Sequence, residues 1–218
     1  MIIFRIFFVL LIWGLGLSFL MLLIRYIVNS GNKLGSNRVQ DKLQKTLSNL
    51  VAGLVPFSNE EKRELGRDFQ ETEVNKSFSY GYFSTIFKEP LLAFAKVDTT
   101  NGGCQIMGQT TDIKCELRND GQRILIYISD KPFGKLNQEG TLTDIKGKVI
   151  VKLDCNSYPL YDVIMKDDRP AAYMEKEPDS GSNKRFFTMF NSDIELSSEV
   201  LVIYILFYKL IKTKYQNA

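Results

Sequence analysis

Histidine occurs nowhere in the 218 residues. Its absence removes Ser-His-Asp and Cys-His nucleophile pairs, histidine general bases and the commonest transition-metal ligand together. Cysteine is scarce: Cys104, Cys115 and Cys155 are odd in number and none stands in a C-x-x-C pair. Neither a disulfide framework nor a zinc site is suggested, and buried reduced thiols are the expected state. No G-x-x-x-x-G-K-S/T loop and no G-x-G-x-x-G turn occurs, so both common phosphate cradles are missing. A basic excess is missing over most of the chain: from Ser77 onward 18 Lys and Arg face 18 Asp and Glu. A nucleic-acid-binding domain normally carries such an excess, so nucleic acid is excluded as a partner. Asp162, Asp167 and Asp168 form the nearest approach to a carboxylate cluster, but Arg169-Pro170 follows them and short strands flank them, which reads as a hairpin turn. The sequence thus offers no catalytic residue, no metal ligand and no cofactor site, and the expectation is a protein that is not an enzyme.

Against these absences stands one long apolar run. Nineteen residues from Ile6 to Ile24 carry no charge, with Arg5 and Arg25 at the ends and Trp13 and Ser18 as the only hydrogen-bonding side chains inside. At ~1.5 Å per residue, a helix of this length crosses roughly the ~30 Å hydrocarbon core of a bilayer. All its backbone groups are satisfied internally, so lipid can be its solvent. A cleaved secretory signal is the alternative, but signal cores run about 7–15 residues and end in small residues such as Ala-x-Ala. The N-terminal flank offers Arg5 and the α-amine, the C-terminal flank Arg25, Lys33, Arg38, Lys42 and Lys45. Positive flanks stay cytoplasmic, which predicts a single-pass membrane protein with its body in the cytosol. Gly14-x-x-x-Ser18 permits a close helix approach and hence a dimer through the anchor.

Beyond the anchor (residues 1–28) the expected order is a helical juxtamembrane linker (29–76) and a β-rich domain (77–218). Val39, Leu43, Leu47, Leu50, Val51 and Leu54 recur at helical spacing before Pro56. This stripe suits either a helix lying on lipid, with Lys33, Arg38, Lys42 and Lys45 as membrane-surface contacts, or a helix packed on the folded body. Ser58-x-x-Glu61 is a capping box, predicting a second helix to about Gln70 as a surface spacer. From Ser79 short β segments follow: 80–87, 91–97, 105–108, 112–118, 123–129, 140–144, 148–153, 159–165, 171–175 and 184–190. Turn signals at Asn101-Gly102, Asp120-Gly121, Lys146-Gly147, Asp167-Asp168 and Ser180-Gly181 separate several of them. Ten strands without interleaved helices argue for an antiparallel barrel or sandwich. Val200 to Tyr208 (VLVIYILFY) is then apolar on every side, and as a helix it covers only ~14 Å, too short for a bilayer. Such a helix needs a wall around it, which a ring of strands supplies.

A β-barrel enclosing a hydrophobic C-terminal helix resembles the tubby C-terminal-like superfamily, which includes the LURP-one-related proteins and phospholipid scramblases. The resemblance lies in GTLTDIKGKVIVKL (140–153) as a strand–turn–strand, YPLYDVI (158–164) as the next strand, and 197–211 as the core helix. It implies a mainly β, α+β domain that binds lipid head groups or a protein partner at the cytosolic membrane surface. The alternatives are a scramblase-like phospholipid transport or sensing protein and, behind it, a carboxylate-dependent enzyme. The chain departs from scramblases in having neither their acylated cysteine cluster nor their calcium-binding segment, and in placing its anchor at the N-terminus. Of the basic residues that would read phosphoinositides in tubby proteins, only Lys184 and Arg185 form an adjacent pair within the expected barrel, residues 77–218.

Overall fold

The computed structural model describes residues 38–99, 103–119, 123–176 and 185–215. The chain divides into two units, Met1–Lys42 and Leu43–Ala218. Of the first, residues 38–42 are described and are helical. The expected anchor, with Ile6, Trp13 and Ile24, lies outside the described residues, as does Lys33. Among the described residues no helix is long and apolar enough to cross a membrane.

The helix over 38–50 (α1) ends in a 3-10 turn, Val51–Gly53, ahead of Pro56. A short α2 (Asn59–Arg63) starts at Ser58, whose hydroxyl oxygen accepts from the amides of Glu60 and Glu61, the serine half of the expected capping box, while Glu61 Oε2 is buried with no hydrogen-bond partner among the described residues. Here the structure corrects the sequence reading. Instead of running to Gln70, the helix stops at Arg63 and Leu65–Asn75 is a strand, β1. Leu65 and Phe69 share one face in a helix and in a strand alike, because a spacing of four satisfies both periods. Pairing along β2, from Leu65↔Thr85 to Asn75↔Phe78, decides for the strand.

The sheet continues through β2 (Phe78–Thr85), β3 (Pro90–Asp98), β4 (Cys104–Gln109), β5 (Lys114–Asn119), β6 (Ile124–Ile128) and β7 (Lys131–Leu136). It is completed by β8 (Leu142–Asp144), β9 (Val149–Asp154), β10 (Tyr161–Lys166), β11 (Arg169–Glu175) and β12 (Met189–Phe190). Each strand pairs antiparallel with the next, a meander of twelve among the described residues. β7 was absent from the sequence reading because Pro132 and Gly134 both disfavour strands. Gly134 is there for close approach: a Cβ at this position would fall 2.0 Å from the carbonyl oxygen of Thr143 on β8. The turn entering β7 uses Ser129 (φ 49°) and Asp130 (φ 64°), so a non-glycine pair takes the left-handed conformation of a tight hairpin. Asp167 (φ 50°) and Asp168 (φ 56°) do the same between β10 and β11, as the hairpin reading expected.

The C-terminal helix α3 (Ser198–Tyr215) packs on this sheet, in contact with β4 and β5 among others. From Val200 to Phe207 every side chain is at most 4 % exposed, and all of them join one core with Phe83, Leu92, Phe94, Ile106, Leu117 and other strand residues. Gly108 marks the closest approach, since a Cβ there would sit 2.7 Å from Leu206 Cδ1. Tyr204, buried within the helix, donates its hydroxyl to the Gly140 carbonyl at 2.6 Å, and burial pushes its phenol well above the usual range. α3 is therefore core and not a span.

The barrel expected from the sequence does not close. β12 is two residues long and pairs with β11 alone, so among the described residues no ladder joins the last strand to the first. Among the same residues the bridge Gly66↔Arg185 and the bond from Phe186 N to Leu65 O at 2.7 Å run across the gap. Side chains do the remaining joining. Arg67 donates to the Tyr208 hydroxyl at 2.8 Å and to the carbonyls of Glu175 and Lys176, while Arg185 grips both oxygens of Glu64.

Candidate functional site

α1 carries the expected membrane-surface cations. Arg38, Lys42 and Lys45 are all exposed. Its apolar stripe has another use: Leu43 and Leu47 are fully buried, and the Leu50 carbonyl accepts from the Tyr82 hydroxyl at 3.4 Å. Just beyond, Val55 N bonds Pro90 O at 2.9 Å. Of the two readings of this stripe the structure supports packing on the folded body, and the cations are what faces solvent.

At the C-terminal part of α3 lies a charged cluster assembled from residues far apart along the chain. Lys209 is 2 % exposed, pairs with Glu71 of β1 at 2.5 Å, and sits 3.7 Å above the Phe69 ring and 5.2 Å from that of Phe94. Burial alone would raise the Glu71 carboxyl, but hydrogen bonds from Lys209 and Ser79 and the charges of Lys209 and Lys96 hold it below the usual range. Lys96 is itself buried and pairs with Asp98 at 3.0 Å. A second buried group, Glu116 at 2 % exposure, accepts from Gln105 and from both ends of Arg118, whose guanidinium lies 4.5 Å from the Tyr127 ring.

The thiols do not form a reactive site. Cys104 and Cys115 are buried and Cys155 is exposed. Burial, with the Glu116 charge, pushes Cys115 well above the usual thiol range, and burial, then Asp162, pushes Cys155 up to about 11. A thiol held protonated is a poor nucleophile and a poor metal ligand. Among the described residues no group of three or more Cys, Asp or Glu could hold a metal ion. The basic pair considered from sequence is not brought together as a site either: Arg185 is taken by Glu64, and Lys184 lies outside the described residues.

A pocket of about 270 Å³ remains, between α2 and the segment from Phe190 to Leu196. Phe190, Ile194, Leu196 and Leu201 form its apolar lining. Lys62, Arg63 and Glu195 bring charges of both signs to it. Lys62 donates to Asn59 Oδ1 at 3.1 Å, and burial lowers its ammonium below the usual lysine range although Glu195 and Glu199 pull it back up. No sequence motif announces this pocket, because its two walls are about 130 residues apart.

No family model, no curated protein and no solved structure matches this chain. The functional reading rests on the residues themselves.

Proposed function

We propose that the chain is a membrane-anchored binding module of tubby-like, LURP-one-related type, holding its β domain at the cytosolic surface and engaging anionic lipid head groups. The observation that carries this reading is the uncharged run Ile6–Ile24 followed at once by a basic stretch. Exposure of Arg38, Lys42 and Lys45, with the apolar side chains of Leu43 and Leu47 buried, supports a contact made by charge and not by insertion of that stripe. Each Lys or Arg near an anionic leaflet contributes roughly 1 kcal/mol, so Lys33, Arg38, Lys42 and Lys45 are worth a few kcal/mol together, and the attraction dies away within a Debye length of about 8 Å at physiological salt.

The test uses a fragment beginning at Ser30 and vesicles with or without phosphatidylserine. Binding should require the anionic lipid, weaken as salt rises, and fall by about tenfold or more when Lys33, Arg38, Lys42 and Lys45 all become Gln. Binding indifferent to salt and to the four substitutions would assign this stretch to a protein partner or to the fold.

A further inference from the structure

The pocket beside α2 combines features that select one kind of ligand. At about 270 Å³ it lies just below the roughly 300–1,000 Å³ of sites for drug-sized molecules, so its occupant is small. Its uncharged polar groups are largely spent within the protein. Asn191 donates to Pro170 O and accepts from Asp193 N, both at 3.0 Å, and the Ser192 hydroxyl is bonded to Asp193 at 3.2 Å. Arg63 and the carboxylate of Glu195 differ: neither has a hydrogen-bonded or ion-paired side-chain partner among the described residues. Lys62 uses one of its donors on Asn59 and keeps the others.

The balance of charge narrows the choice further. Lys62 and Arg63, both on α2, each line the pocket and so bring two cations to one wall of it, where an oxyanion could engage either or both. Glu195 lies at the same pocket, and both it and Glu199 act on Lys62. A bare anion would meet the Glu195 carboxylate, and a bare cation would meet the lysine and the arginine. A molecule with both charges satisfies the two sets together. We propose that this pocket binds a phosphate–ammonium zwitterion, with the phosphate on Arg63 and Lys62, the ammonium on Glu195, and the short carbon linker over Ile194 and Leu201. Such a group exists free in solution and as the head group of an amine-bearing phospholipid. The site goes beyond the membrane contact proposed above and uses none of its residues.

The full chain in maltoside micelles is titrated with O-phosphoethanolamine by calorimetry, and in parallel with inorganic phosphate and with ethanolamine. Phosphoethanolamine should bind saturably and about tenfold or more tighter than either half, since each end adds a charge-assisted hydrogen bond. Arg63→Gln and Glu195→Gln, both at exposed positions, should each weaken it about tenfold while thermal melts stay unchanged. Glu195→Gln should not weaken phosphate, which separates loss of the ammonium contact from general damage. No saturable binding, phosphate binding as tightly as phosphoethanolamine, or affinities indifferent to both variants would overturn the proposal. Doping the micelles with phosphatidylethanolamine identifies the source: displacement supports the site as a lipid head-group site, and no displacement supports it as a site for the soluble zwitterion. The variant with Lys33, Arg38, Lys42 and Lys45 replaced by Gln should bind phosphoethanolamine normally, so failure of the membrane contact and failure of this pocket are told apart.

Discussion

Lys209 and Glu71 form a pair in which one partner is almost fully enclosed and the other reaches water. Lys209 has 3 % of its side chain exposed and Glu71 23 %. Removing the carboxylate takes the paired charge away from an enclosed ammonium that lies 3.7 Å from the Phe69 ring and 5.2 Å from that of Phe94. Glu71→Gln should cost about 2 kcal/mol, less than the roughly 3–5 kcal/mol of a fully buried broken pair because water reaches Glu71. The pH dependence follows from the depressed carboxyl of Glu71. A group depressed in the fold contributes fully above its unfolded value, about 4.3, and loses that contribution as pH falls through the lower folded value. Urea melts should show wild type above the variant at pH 7 and a narrowing gap below about pH 4. Leu206, facing Gly108 in the centre of the core, admits no such accommodation. Leu206→Asp should unfold the β domain, since an unpaired enclosed carboxylate costs several kcal/mol against a total of about 5–15 kcal/mol, and circular dichroism would register it. A native spectrum and melt would show that α3 is not the core.

β1 is where the elements departed most from expectation. An eleven-residue strand stands where a helical spacer was predicted, and it covers the free edge of β2 along nearly its whole length. Leu65 contributes to the core, and Phe69 meets Phe83 in a tilted contact at 5.3 Å and Phe94 edge-on at 5.9 Å. A fragment beginning at Ser77 lacks this strand and exposes the β2 backbone as a long unprotected edge, a template for aggregation. It should express as aggregate or as a poorly dispersed species in NMR, whereas a fragment beginning at Leu43 should fold. Equal dispersion of the two would make β1 dispensable. The same strand also holds Arg67, which ties β1 to Tyr208 of α3 and to the end of β11 across the open seam.

Taken as one body, the β domain is a meander wrapped on a helix, and how much of it could be read in advance depended on the range of the cause. Local patterns were legible. Alternation marked most of the strands, Ser58 marked the start of α2, Asp167-Asp168 marked a hairpin, and nine consecutive apolar residues from Val200 to Tyr208 required a wall on every side. The acid–base and metal chemistries that histidine would supply were set aside by composition alone, because an absent residue type is absent in every fold. β1 and β7 were not legible: a spacing of four fits two periods, and Pro132 and Gly134 weigh against a strand until a neighbour is seen to press against them. Closure was not legible either, since among the described residues it turned on the shortness of β12, two residues that pair with β11 alone. The pairing of Lys209 with Glu71, and the meeting of Lys62 and Arg63 with Glu195 over an apolar floor, join residues more than 130 positions apart. Periodicity and capping act over a few residues and are written in order along the chain, whereas a charge's partner is whatever the folded backbone brings beside it.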